Sequence, residues 1–176
     1  NVSFEVKRGQ FLAVIGKTGS GKSTLANLLM RMYDVSEGEI LVDGKPLTSL
    51  NLQQYRSQVG FVPQEVFLFS DTIKNNIAFG LNAVADEQVV VAAKNAVVYE
   101  NIVGFENQFE TMLGERGITL SGGQKQRVSI ARALIKEPQM LVFDDCLSAV
   151  DTKTEEEILG NLGRLMQGRT SVLIAH

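Results

Sequence analysis

Residues 16–23 read GKTGSGKS, a spacing of glycines, lysine and hydroxyl suited to holding phosphate. Gly16, Gly19 and Gly21 let the backbone curl so that successive N–H groups, those of Lys17, Thr18 and Ser20 among them, point into one concavity. A helix that begins at this loop adds its positive N-terminal end, and Thr24 extends the nucleotide-binding set into its first turn. Lys22 is placed to reach the β- and γ-phosphates, and the Ser23 hydroxyl to bind Mg2+. Taken alone, the loop fits any enzyme of nucleoside triphosphates, a small-molecule kinase or a GTPase included. Far downstream, Met140 to Phe143 lead into the pair Asp144-Asp145. A carboxylate at the end of a buried strand is where a phosphate-bound Mg2+ needs its second anchor. Between the two lies Leu120-Ser121-Gly122-Gly123-Gln124. A serine hydroxyl and two glycine amides at a helix start make a second anion site.

The elements that must position these groups follow from the apolar pattern. Val2, Phe4 and Val6 alternate with polar residues, which predicts a half-buried strand. Residues 11–15 are a continuous apolar run, as in a buried central strand. Residues 22–32 have helical spacing, with Leu25, Leu28, Leu29 and Met32 on one face. Residues 38–42 predict a strand that enters a tight turn at Asp43-Gly44. Residues 60–63 form a further apolar stretch that ends at Pro63. From Asp71 to Gly104 the texture becomes helical (Val89, Val90, Ala93, Val97), with Asp86-Glu87 supplying acids for a first turn. This predicts a separate helical subdomain over about 71–124. Residues 121–135 predict a helix that stops before Pro138; 140–143 a buried strand; 155–166 an amphipathic helix; and 171–175 a last buried strand. Buried strands alternating with helices predict an α/β parallel sheet.

Composition sets the bounds. The 176 residues suit one domain, and an apolar fraction of 44% can build a core. A net charge of −3 argues against nucleic-acid binding through bulk charge. With one cysteine, Cys146, no internal disulfide forms, which suits the cytosol; Cys146 itself reads as a small packed residue. No apolar run approaches the roughly 18 residues of a membrane span, and no signal-peptide pattern opens the chain. The expectation is a soluble fragment whose membrane link lies in other segments or partners.

The residues LSGGQKQRVSIARAL, following an upstream phosphate loop, resemble the signature helix of the nucleotide-binding domain of ABC proteins, and the resemblance runs along the whole chain. It implies a P-loop NTPase fold with a mainly parallel central sheet, an antiparallel β subdomain and a helical subdomain that carries the signature. It also implies roles. Residues 140–144, MLVFD, resemble the Walker B strand, with Asp144 holding Mg2+ through water. Gln64 in FVPQE resembles the glutamine that touches the metal and the attacking water. Ser148, Ala149, Val150 and Asp151 resemble the D-loop. His176 resembles the switch histidine at the γ-phosphate. Lys22, Gln64, Asp145 and His176 are then the catalytic set. In the family two such domains dimerise head to tail, so Ser121, Gly122, Gly123 and Gln124 would serve the partner's ATP in trans. Membrane domains would be driven by the opening and closing, at the cytoplasmic face of the membrane. The resemblance puts the adenine-stacking aromatic residue upstream of the first strand and the last strands beyond His176, outside residues 1–176.

Thr111-Met112-Leu113-Gly114-Glu115-Arg116-Gly117 resembles the X-loop of exporters, with Met112 where that pattern has glutamate. Residues 66–73 are also exporter-like. A soluble ABC ATPase of DNA repair or translation is the alternative from another class, though no long insertion separates Gln64 from Ser121. A third expectation comes from Asp145, where the family usually has glutamate. Its carboxylate is one methylene shorter, and a misplacement of about 1 Å costs on the order of a hundredfold in rate. This substitution, with an intact signature, resembles the slow half of a heterodimeric exporter.

Overall fold

The computed structural model describes residues 2–114, 119–147, 150 and 152–175. Four strands form one parallel sheet: β1 (Phe11–Ile15), β4 (Val59–Val62), β5 (Met140–Asp144) and β6 (Thr170–Ala175), in the spatial order β1-β6-β5-β4. A two-stranded antiparallel ribbon, β2 (Leu41–Val42) with β3 (Lys45–Pro46), stands apart. Its turn is Asp43-Gly44, both with positive φ (49° and 74°), the backbone twist that two-residue hairpins require. The helices are α1 (Lys22–Leu29), α2 (Leu52–Ser57), α3 (Ile73–Ile77), α4 (Asp86–Asn95), α5 (Tyr99–Val103), α6 (Gly122–Leu134) and α7 (Thr152–Leu165).

The sheet is covered on both faces, which is why β5 is apolar without alternation. Leu141 and Phe143 point into a core with Val62, Ile73, Ile77, Val128, Ile130 and Ile158. Val142 points the other way, against Ala26, Met30, Tyr55, Val172 and Ile174. Gly60 in β4 exists because of this packing. A Cβ there would come within 2.7 Å of Leu141, 2.9 Å of the Ala133 carbonyl and 2.9 Å of Pro138.

Three predicted elements differ. Residues 2–6 form no strand: Val2 is 82% and Phe4 50% exposed, and the described residues give them no strand to pair with. Alternation alone makes no strand without a partner edge. β1 is an edge strand of the described sheet, not a central one, with Phe11 and Ile15 exposed. The helix from Lys22 stops at Leu29, and the chain turns at Arg31, φ 48°. Its last carbonyls are taken by α2. The Tyr55 hydroxyl donates to Leu29 O at 2.7 Å, and Arg56 donates to Met30 O and Arg31 O at 3.1 and 2.9 Å.

Burial pushes the Tyr55 phenol up from 10.0 to about 12, only partly offset by Arg56. A raised folded-state pKa means stability that is complete below pH 10 and lost as pH rises to about 12. Tyr55→Phe should therefore lose about 1 kcal/mol at neutral pH, for its missing hydrogen bond, yet flatten the fall between these values. Denaturant midpoints against pH for both proteins check this.

Candidate functional site

The parallel register sets which loops meet. Ile15 pairs with Ala175, Asp144 with Ile174 and Val62 with Phe143, so all four strands end at one edge of the sheet. In open parallel sheets ligands bind outside this carboxyl edge. The loop after β1 curls there. Gly16 lies so close to Ser20 that a Cβ would meet Oγ at 2.9 Å. Gly19 and Gly21 have φ of 81° and 91°, which side-chain-bearing residues avoid. Gly21 is also the N-cap of α1, and no side chain caps that helix. The loop mouth at Gly16, Lys17 and Thr18 is open, and Thr24 is exposed on the first turn of α1.

Lys22 is 8% exposed. Its Nζ donates to the carbonyls of Gly16 and Lys17 at 2.6 and 3.1 Å, which folds the ammonium over its own loop. The next residue makes the contact that joins the two halves of the site: Ser23 Oγ donates to Asp144 Oδ1 at 3.1 Å. Asp144 is 4% exposed. A hydroxyl beside a buried carboxylate, below an anion-binding loop, fits the sparse protein ligation of Mg2+, whose other ligands are water and phosphate. Among the described residues no group of three His, Cys, Asp or Glu side chains could hold a metal alone.

Asp145 continues the chain in a left-handed conformation, φ 46°. Its N–H donates to Ile174 O at 3.0 Å, and its Oδ2 accepts from Gln64 Nε2 at 3.1 Å. Gln64 and Asp145, predicted separately, are thus in contact. Cys146 beside them is fully buried, and burial pushes its thiol up from 9.0 to about 12, with the Asp145 and Asp144 charges adding to the rise. It behaves as a packed residue.

Ser121 caps α6. Its Oγ accepts from Gln124 N at 3.2 Å, while the Gln124 side chain accepts from Ser121 N at 2.9 Å. Gly122 and Gly123 open the helix, and Ser121 and Gly122 are exposed. α6 itself packs on α3, α4 and β4. Its N-terminus, where the sequence predicts an anion site, lies at the surface. His176, Asp151, Ser148, Ala149, Glu115, Arg116 and Gly117 lie outside the described residues.

Two exporter-like stretches, far apart in sequence, touch. Ile73 N donates to Thr111 O and Leu113 N to Asp71 O, both at 3.0 Å, and Thr72 bridges to Met112. Met112 is 49% exposed at this junction. Sequence reasoning missed two residues here, Asn76 and Arg132. Asn76 is 1% exposed and Arg132 half-buried, each set among apolar neighbours in its helix. A polar residue at an inward helical position was the available signal.

The profile of the ABC transporter family matches residues 1–148. All 176 residues align at 49% identity with the multidrug resistance-like ATP-binding protein MdlA of Escherichia coli, covering 30% of that protein. They align at 45% with ATP-binding cassette sub-family B member 6 of Xenopus tropicalis, covering 21% of it. The chain therefore spans between a fifth and a third of the length of these relatives. A solved bacterial Atm1-family ABC exporter with ATP bound superposes with a TM-score of 0.95 at 45% identity, over 99% of this chain and 31% of that one.

The cap at Ser121 can be tested by itself. Ser121→Ala removes the hydroxyl that accepts from Gln124 N, leaving the backbone Ser121 N–H on the Gln124 side chain, and should cost about 1 kcal/mol; Ser121→Asn keeps a capping oxygen and should cost less. Urea unfolding of the three proteins checks the order.

Proposed function

The chain belongs to the ABC transporter family, and on that premise we propose that it is the ATP-binding and ATP-hydrolysing domain of an exporter. The observation that carries this is the Ser23–Asp144 contact beneath the Lys22-held loop. It joins a phosphate cradle to a metal anchor at the one sheet edge where both are needed. The exporter reading is supported by the relatives, which include an ATP-dependent lipid A-core flippase of Hahella chejuensis at 49% identity, and by the junction of residues 66–73 with Thr111 to Gly114. These similarities do not favour a soluble ATPase of repair or translation.

In this reading the loop amides and the α1 N-terminus hold the phosphates of ATP. Lys22 leaves the carbonyls of Gly16 and Lys17 for the β- and γ-phosphates, an exchange of neutral acceptors for charged ones. Bound Mg2+ would neutralise charge on the phosphates, held by Ser23 and by Asp144, with Gln64 near it. Asp145 orients and deprotonates the attacking water, and Gln64 holds that carboxylate in place. The exposed Ser121 and Gly122 of α6 serve the nucleotide of a second such domain, which explains an anion site on a helix that packs away from α1. His176 and Asp151 complete the site as γ-phosphate sensor and D-loop. Membrane-spanning domains, in the same or an associated polypeptide, dock on this domain at the cytoplasmic face. Among the described residues no helix is long and apolar enough to cross a membrane.

Two outcomes are expected for the full-length transporter, purified with any partner half. Lys22→Ala should lower ATP turnover at least about a hundredfold, since it removes a preorganised charge from the γ-phosphate. Asp145→Asn should do the same, while Asp145→Glu keeps the activity. If Asn changes little and Glu raises turnover severalfold, Asp145 is a poor base and this domain is the slow half that binds ATP for a partner. Steady-state phosphate release measures both.

A further inference from the structure

Arg132, in the last turn of α6, donates from all three guanidinium nitrogens to two other segments. Nε donates to Asn76 O at 2.7 Å, Nη2 to Asn76 Oδ1 at 3.0 Å and Nη1 to Phe67 O at 3.0 Å. Its carbon sits 5.8 and 5.7 Å from the ring centres of Phe69 and Phe79, which stack on each other at 4.2 Å. Asn76, in turn, takes the N–H of Phe69 at 2.8 Å and gives its amide to Phe69 O and Thr72 O, both at 3.0 Å. The segment 67–72 is thus hung on α6 through one cation and one buried amide.

Among the described residues no carboxylate takes part: the three acceptors are amide oxygens. Burial alone lowers the pKa of Arg132, so holding a charge here costs free energy that no ion pair returns. An apolar residue would fill the place at less cost. What the fork supplies is geometry, because its planar donors reach Phe67 and Asn76 at once; a lysine is a point charge without that reach. Phe67 lies three residues beyond Gln64, and Ser121 eleven residues before Arg132 on the same helix.

We propose that Arg132 is a positioning residue that locks the Gln64 loop to α6, so that the Gln64–Asp145 contact and the presentation of Ser121 change together. A rigid helix about three turns long carries any shift of residues 64–72 to the Ser121 cap. The role in turnover rests on the ATPase reading; the lock itself does not.

The test uses the full-length transporter with any partner half. Arg132→Lys and Arg132→Met are made alone and with Gln64→Ala, and kcat and KM for ATP are measured. Amide hydrogen exchange of residues 64–72 and 119–124 is followed with and without a non-hydrolysable ATP analogue. Both single variants should lower kcat about tenfold with KM changed less than about twofold. Adding Gln64→Ala should cost nothing further beyond Gln64→Ala itself, the non-additivity of residues acting through one contact. Without nucleotide, Arg132→Met should speed exchange at residues 64–72 about tenfold, and the analogue should then no longer slow both segments together. Losses that multiply in the double variants, a Lys variant that behaves as the parent, or exchange unchanged by Arg132→Met would each overturn the lock. A parent protein that hydrolyses no ATP overturns the ATPase reading instead; the nucleotide-free exchange at residues 64–72 then decides the lock by itself.

Discussion

The hydrogen bond between Ser23 and Asp144 depends on nothing local. The two residues are 121 positions apart, and they meet because β1, β6 and β5 run parallel in a fixed register. A parallel sheet brings every strand's carboxyl end to one side, so a glycine loop after one strand and an acid at the end of another share a floor. A slip of one residue in β5 would turn Asp144 toward the opposite face and take the carboxylate from the hydroxyl. Core packing resists that slip. Leu141 and Phe143 fill one side of the sheet and Val142 the other, and Gly60 leaves no room to adjust.

Around this contact the site is held from two sides. Lys22 and Ser23 belong to α1, whose C-terminal carbonyls are tied by Tyr55 and Arg56 of α2. Asp145, by contrast, is reached by Gln64, whose loop leaves β4 at Pro63 and runs out to the helices before returning at β5. The same loop continues into the aromatic segment held by Arg132, and that segment is stitched to Thr111 and Leu113. One side of the site is therefore set by the sheet, and the other by α6 and the segments it carries.

The anion site proposed on α6 has a related logic. A capping box already satisfies the first amides of that helix, so Ser121 is structural before it is anything else. Its exposure at the helix N-terminus, together with two glycines that keep side chains away, leaves the remaining amide dipoles accessible to an approaching phosphate.

By itself the sequence determined the groups whose geometry is local. The phosphate loop, the serine that starts α6, the hairpin turn at Asp43-Gly44 and the apolar face of α6 depend on backbone conformations that neighbouring residues dictate, and their spacing showed them. The face of α1 differs from the predicted one: Ala26 and Met30 are buried there, while Met32 is 53% exposed, because the helix ends at Leu29 and the chain turns at Arg31. Residues 2–6 show the limit: alternation without a partner edge made no strand, and β1 was as apolar as a central strand yet stands at the edge of the described sheet. The tertiary structure alone decided which groups meet. It put Gln64 on Asp145, Ser23 on Asp144 and Arg132 on Phe67, contacts spanning 81, 121 and 65 positions. No spacing rule reaches that far, because such pairs are selected by strand register and by the burial of helix faces. Both are properties of the whole core, not of any segment within it.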